Sequence, residues 1–282
     1  MRHIPFSLIA ALLVSLSSCA APPSAQTTAD LLDTVKANKK LRVSTDANYR
    51  PQSYFDEATK TWSGFDIDVA RETARRLGVE VEFVTPDWSA ITAGNWARRW
   101  DVSIGSMTIT PERAEVLDFT SPYYYTPAQF AIRADLKDTV RTLADLSGRT
   151  VCVGEATTYE QYLNGKLTIQ AVTPPPTGVK VATVKTDADC VQSIRAGRKD
   201  YDAVLTAWGV VDDSIKQGIS IVALGDPVYY EDLAMALDKA AKPNAKMLAE
   251  LNRIIAEMHA DGTLSRLSMQ YYGHDLTKKK SR

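Results

Sequence analysis

Residues 103–113 read SIGSMTITPER and hold the densest chemistry of the chain. A short apolar piece at 102–104 runs into Gly105, Ser106 and Thr108, then into Thr110-Pro111-Glu112. Thr110 is suited to cap a helix, and Pro111 to occupy its first position. A strand end feeding a helix start gathers free backbone N–H groups and the positive end of a helix dipole, which suits an anion. Arg113 falls in the first helical turn, where a positive charge is disfavoured. Beside a bound carboxylate it makes sense, because the planar guanidinium fork matches two carboxylate oxygens. The other reading is an ordinary turn with Arg113 paired to a neighbouring Glu.

Other reactive groups are few. The sequence has three cysteines and three histidines. No CxxC and no Cys/His cluster has metal-ligand spacing, so no metal or cofactor is expected. No Ser/His/Asp order or G-x-S-x-G motif appears, and only His259 and His274 follow the first few residues. Cys152 and Cys190 are either a disulfide or two buried thiols.

The elements that must position Arg113 follow from pattern. Strands are expected at 41–45, 79–85, 102–104, 127–133, 150–153, 179–184, 201–206, 219–223 and 229–237. Helices are expected at 31–37, 65–77, 89–100, 111–118, 159–163, 187–196 and 208–216, with two more from Pro243 to Tyr272. Residues 46–64 read as a loop carrying Tyr49, Tyr54, Phe55 and Trp62. Strands alternate with helices, which is an α/β pattern with mostly parallel sheets. The strand–loop–helix series restarts near Thr150, so two α/β units are expected, with a ligand cleft between them. The 282 residues are enough for both.

Charge excludes one class of partner. Lys and Arg number 33 against 34 Asp and Glu, for a net charge of -1, so no positive field attracts nucleic acid. The N-terminus reads as a secretory signal peptide over 1–18, with an apolar run too short to span a membrane. Leu16-Ser17-Ser18-Cys19 resembles the bacterial lipobox, which implies acylation of Cys19; simple secretion with cleavage after Ala20 or Ala21 is the other reading. Residues 19–38 are then a lipid-anchored flexible linker and leading helix. Residues 276–282 read as a solvated basic tail.

Three pieces together carry a resemblance: Gly64-Phe65-Asp66-Ile67-Asp68, the run 101–113, and Asp118-Phe119-Thr120 followed by Pro122-Tyr123-Tyr124. The chain resembles the bacterial extracellular solute-binding proteins, family 3, which serve polar amino-acid ABC transporters. The likeness extends over about 38–272. It implies a two-lobed periplasmic-binding-protein-like α/β fold, each lobe a mostly parallel sheet flanked by helices, joined by two crossover strands. Residues 39–130 with 232–275 would form lobe 1, and 131–231 lobe 2. It further implies a monomer outside the cytoplasmic membrane that captures a polar or charged amino acid and delivers it to a membrane permease.

By the same resemblance Arg113 holds the ligand's α-carboxylate, with donors at Ser106 and Thr108 and, from lobe 2, at Thr157 and Thr158. Tyr49 and Trp88 pack on the ligand, and Asp46 contacts its polar groups. One position departs. The family's aspartate for the α-ammonium aligns on Ala207. A desolvated ammonium without a counter-charge costs several kcal/mol, so another acid is needed unless the ligand is a carboxylate lacking an α-amino group. Glu155 is the first substitute, then Asp46, Glu231 and Asp232; Trp208 offers a cation–π face. Secreted cyclohexadienyl dehydratases look like this family, and there Glu155 would be the acid. A sensor module is the third alternative.

Overall fold

The computed structural model describes residues 29–279. The expected signal peptide, Cys19 and the linker up to residue 28 lie outside the described residues. In chain order the strands are β1 (Lys40–Ser44), β2 (Asn48–Tyr49), β3 (Ser53–Asp56), β4 (Thr61–Ser63), β5 (Glu80–Val84), β6 (Val102–Thr108), β7 (Leu117–Phe119), β8 (Tyr124–Arg133), β9 (Thr150–Gly154), β10 (Lys180–Val184), β11 (Ala203–Ala207) and β12 (Ile221–Asp238). The α-helices are α1 (Leu31–Asn38), α2 (Phe65–Leu77), α3 (Trp88–Thr92), α4 (Pro111–Val116), α5 (Thr158–Leu163), α6 (Asp187–Arg195), α7 (Trp208–Lys216), α8 (Ala245–Ala260) and α9 (Thr263–Tyr272).

The main sheet runs β10-β9-β11-β8-β12-β6-β1-β5, with β7 also on β12. Its two ends are parallel: β1 pairs with β5 and β6, and β9 with β10 and β11. The two long central strands, β8 and β12, pair antiparallel with each other and with their neighbours. They pass from one lobe into the other. Tyr162 and Tyr229 belong to the core of lobe 2, and Phe130, at the end of the range expected for lobe 1, packs in that same core. Phe65, Tyr123, Tyr124 and Tyr272 belong to that of lobe 1. Along β12 the change of core falls between Tyr229 and Leu233, so Glu231 lies in the crossing itself.

Local sequence explains the parts that frame the cleft. β9, TVCVG, is a nearly unbroken apolar run because helices cover it. α2 buries Phe65, Val69, Ala70, Ala74 and Leu77 and stops at Gly78, whose φ of 74° is left-handed. Cys152 in β9 and Cys190 in α6 are joined by a disulfide, which ties that helix to the sheet.

Four expectations are corrected. The helix at 89–100 ends at Thr92. Asn95, Ala97 and Arg98 turn left-handed, and the Asp238 carboxylate accepts the N–H groups of Asn95 (3.0 Å) and Trp96 (2.7 Å). Those bonds replace helical ones and let Trp96 and Trp100 pack with Met107 and Leu117. The loop at 46–64 contains the three-stranded sheet β2-β3-β4, held in part by Phe55 against Trp62. The helix at 111–118 gives way to β7, which pairs with β12. The terminal segment is not wholly solvated: Leu276 and Thr277 are buried, and Lys279 pairs with Asp232 at 2.7 Å. Among the described residues no helix is long and apolar enough to cross a membrane, and no His, Cys, Asp or Glu group could hold a metal.

Candidate functional site

A cavity of about 640 Å³, open mouth included, lies between the lobes. Asp46, Tyr49, Trp88, Ser106, Thr108 and Arg113 line it from lobe 1. Thr157 and Thr158 line it from lobe 2, and Glu231 from the crossing strand.

Arg113 is positioned as its sequence suggests. Thr110 caps α4, accepting the Arg113 N–H at 3.3 Å, and Pro111 opens the helix. The side chain is 5% exposed. Nη1 donates to the Thr108 carbonyl and Nη2 to the Ala156 carbonyl, both at 3.0 Å. The guanidinium also lies over the Trp88 ring, 5.3 Å from its centroid. A guanidinium has five N–H donors, so these bonds orient the fork without exhausting it. Burial lowers the Arg113 pKa, and the Glu231 charge is the main opposing effect. Glu112, the acid that an ordinary turn would pair with it, instead accepts from Thr168 across the cleft at 2.9 Å.

Several bonds bridge the lobes. The Ala156 carbonyl accepts from both Arg113 and Trp88, the latter at 3.3 Å. Lys185 meets Asp87 at 2.5 Å at the mouth.

Glu231 is the hub that sequence reasoning ranked too low. It is 1% exposed. Its Oε1 accepts from Thr108 (2.6 Å) in lobe 1 and Thr158 (2.5 Å) in lobe 2, and its Oε2 from Tyr159 (2.9 Å). Burial raises its pKa, while the three hydroxyls and Arg113 oppose that shift. A carboxylate offers about four lone-pair positions, so one remains for a further donor.

Two more acids line the cavity. Asp187 is buried at the start of α6 and accepts a short hydrogen bond from Thr206, the residue before Ala207. Burial pushes its pKa up to about 7. Sequence reasoning read it only as a helix start; its place just after β10, capped by Thr186, is the signal, since ligands gather at the carboxyl ends of parallel strands. Asp46 accepts the Asn48 N–H at 2.7 Å, and burial raises its pKa as well. Lys185 and Tyr159 also line the cavity and were missed.

Other expected donors are turned away. Ser106 has a φ of 56°. Its hydroxyl donates to Asp66 at 2.6 Å and meets Tyr124 OH at 2.5 Å, while its N–H donates to Tyr123 OH at 3.1 Å. Tyr123 OH in turn donates to Asp66 at 2.7 Å. Ser106 thus lines the cavity but directs its polar groups into lobe 1. The Thr157 hydroxyl caps α5, accepting from Glu160 N–H (3.1 Å) and donating to the Gly154 carbonyl (2.7 Å).

Glu155 does not substitute for the missing acid. It is exposed and outside the cavity wall. Its N–H donates to the Val184 carbonyl, extending the β9–β10 pairing. Ala156 then turns left-handed, φ 55°, and presents its carbonyl to Arg113. Asp232 pairs with Lys279, and Trp208 packs edge-on against His274, so neither serves the cleft.

The chain is similar to several known proteins. The L-cystine-binding protein TcyJ of Escherichia coli (strain K12) is 32% identical over 249 residues, 88% of each chain. ABC transporter arginine-binding protein 1 of the same strain is 30% identical over 241 residues, 84% of this chain and 92% of the relative. The crystal structure of the ancestral amino acid-binding protein AncCDT-1, a precursor of cyclohexadienyl dehydratase, superposes with a TM-score of 0.74 at 30% identity. It covers 86% of this chain and 99% of that one. A model of the bacterial extracellular solute-binding proteins, family 3, matches residues 41–274, and the chain belongs to that family.

Proposed function

We propose that this protein is the substrate-binding component of an ABC importer, and that it captures an α-amino acid between its lobes and delivers it to the membrane permease. The observation that carries the reading is Arg113. It is a buried guanidinium on the cavity wall, oriented by two backbone carbonyls from opposite lobes. A ligand carboxylate on the remaining donors would join both lobes through one side chain. The names of the relatives, which are binding proteins for cystine and arginine, support an amino-acid ligand.

Glu231 replaces Glu155 as the acid for the α-ammonium. It lies near enough to Arg113 to be its main charged neighbour. The two charges would thus face the two ends of one zwitterion.

The dehydratase alternative loses the acid assigned to it, because Glu155 is exposed and off the cavity wall. The lipobox-like run ending at Cys19 supports a lipid tether on the extracytoplasmic face of a membrane.

The test is calorimetry on ligand-stripped protein against an amino-acid panel, with a parallel assay of prephenate and arogenate turnover. Saturable binding of an amino acid without turnover is expected. Binding of simple organic acids alone, or turnover, would overturn the assignment.

A further inference from the structure

Ser106 lies on the cavity wall, yet both its hydroxyl and its N–H donate into lobe 1. Its backbone is left-handed, φ 56°, a conformation that serine keeps only where its surroundings hold it. A buried acid does the holding. The Ser106 hydroxyl donates to Asp66 at 2.6 Å. Its N–H donates at 3.1 Å to Tyr123 OH, which itself donates to Asp66 at 2.7 Å. Asp66 thus grips Ser106 twice, once directly and once through Tyr123. Asp66 and Tyr123 are fully buried, where such bonds are stronger than at a surface.

The grip falls where β6 is irregular. β6 pairs Ser103 with Ala236 and Met107 with Ala234, so β6 is the longer strand between those two pairs. A bulge stores the surplus, and Gly105 and Ser106 lie within it. Before the bulge Ser103 lies opposite Ser44 of β1; after it Thr108 lies opposite Leu233 of β12.

Thr108 gives the bulge its consequence. Its carbonyl accepts from Arg113 and its hydroxyl donates to Glu231. One residue thereby orients the groups assigned to both ends of the ligand. A bulge free to slide along β6 would carry the surplus toward Thr108 and turn those two groups away, because a one-residue shift in a strand exchanges its faces. Asp66, itself off the cavity wall, holds the surplus short of Thr108.

α2 brings the acid to this place by a close approach. The N–H groups of Phe65 and Asp66 donate to the Pro51 and Gln52 carbonyls at 3.1 and 2.9 Å. A β-carbon at Gly64 would lie 2.3 Å from the Gln52 oxygen, so only glycine lets the first turn of α2 sit there.

We propose that Asp66 is a positioning residue for ligand binding: by gripping Ser106 it fixes the bulge of β6, and so the Thr108 groups that orient Arg113 and Glu231. This inference rests on the amino-acid reading above. Because Thr108 serves both ends of the α-amino acid, loss of the grip weakens every amino acid by a similar factor, whatever its side chain.

The experiment is calorimetry on the ligand-stripped full chain, well below the melting temperature of each variant. The probes are the two tightest binders among the standard amino acids and cystine. Asp66→Leu removes the grip and should weaken both probes by at least about tenfold. Asp66→Asn can still accept from Ser106 and donate to the Tyr123 oxygen, so it should restore most of the affinity. Where Asp66→Leu fails to fold, Tyr123→Phe decides. It keeps the ring that stacks on Phe65 but leaves the Ser106 N–H without its acceptor, and should weaken both probes by about three- to tenfold.

Wild-type affinity in folded Tyr123→Phe would overturn the positioning role while leaving the amino-acid ligand in place. So would an Asp66→Asn variant as weak as Asp66→Leu, since charge and not grip would then be at work, and so would a loss confined to one probe. Failure of every amino acid to bind the wild-type protein would overturn the function and this role together.

Discussion

Arg113 and Ala156 join the lobes through one hydrogen bond, Nη2 to carbonyl oxygen at 3.0 Å. Trp88 donates to the same oxygen at 3.3 Å. Ala156 has the left-handed backbone that turns this carbonyl toward the cleft. The guanidinium proposed to hold the ligand also touches the opposite lobe, so on that reading binding and closure share one side chain.

Arg113→Lys tests that sharing. A lysine keeps the charge but presents a point ammonium, which cannot hold the Thr108 carbonyl, the Ala156 carbonyl and a carboxylate at once. Loss of a buried, charge-assisted contact costs about 2–5 kcal/mol, so affinity should fall by about thirtyfold or more. Calorimetry measures the loss, and a circular-dichroism melt checks that the variant is folded. Wild-type affinity in the folded variant would remove Arg113 from the site.

Glu231→Gln and Glu231→Ala should separate charge from scaffold. Glutamine retains an oxygen for Thr108 and Thr158 and offers Tyr159 an N–H. Its melting temperature should stay close to wild type while amino-acid affinity falls by about tenfold or more, the worth of a hydrogen bond to a charged group. Alanine leaves three buried hydroxyls unpartnered, so it should also melt at lower temperature. Because burial raises the Glu231 pKa, wild-type affinity should begin to fall on acidification at a higher pH than for an exposed glutamate. Calorimetry from pH 8 to pH 5 on wild type and Glu231→Gln, in which this component is absent, checks the sign.

Asp66 predicts an effect on stability rather than on charge in the cleft. It is fully buried beneath Ser106 and Tyr123, and burial raises its pKa from 3.8 to about 7. The folded state therefore binds a proton that the unfolded state releases between those values. Its contribution to stability is present below the unfolded pKa and lost as pH rises toward 7. Asp66→Asn removes the charge and can still accept from Ser106 and donate to the Tyr123 oxygen. The variant should gain stability relative to wild type at pH 8, and the gain should vanish near pH 4. Denaturant melts at both pH values measure this, and an equal difference at the two would contradict it.

Much of this was legible in the sequence, and the limits have physical causes. Arg113 was readable because Thr110 and Pro111 fix a helix start by local rules, and local rules survive folding. The alternation of strands and helices likewise gave the α/β class. Ser106 misled because its hydroxyl is taken by Asp66, 40 residues earlier, and no local pattern reports such a bond. Glu155 misled because one residue of left-handed backbone at Ala156 decides whether a side chain or a carbonyl faces the cleft. Glu231 was underrated because its three hydroxyl partners come from β6 and α5, which meet only when the lobes do. The helix at 89–100 failed because Asp238, far along the chain, accepts the N–H groups that a helix would have used.

Gly154 offers the last prediction, and it depends on space rather than on backbone freedom. Its φ is not in the left-handed region, yet a β-carbon there would lie 2.8 Å from the Asp187 N and 3.1 Å from Thr157 Cγ2. The first contact is with backbone and cannot rotate away. Gly154→Ala must therefore displace the start of α6 from β9, and with it Asp187, or else push back the Thr157 cap of α5, and with it Thr158 and Tyr159. Both movements disturb acids of the cleft: the first shifts Asp187, the second withdraws hydroxyl donors from Glu231. Misplacing binding groups by even a fraction of an ångström weakens short, charged hydrogen bonds steeply, so amino-acid affinity should drop by about tenfold or more. Gly197 is the control. It is left-handed with φ 76° and has nothing within 4 Å of a β-carbon, so Gly197→Ala adds only local backbone strain. That variant should lose a little melting temperature and keep wild-type affinity, while Gly154→Ala loses affinity beyond what any change in melting temperature explains. Equal affinities in the two variants would mean that the close approach of α6 to β9 does not set the geometry of the cleft.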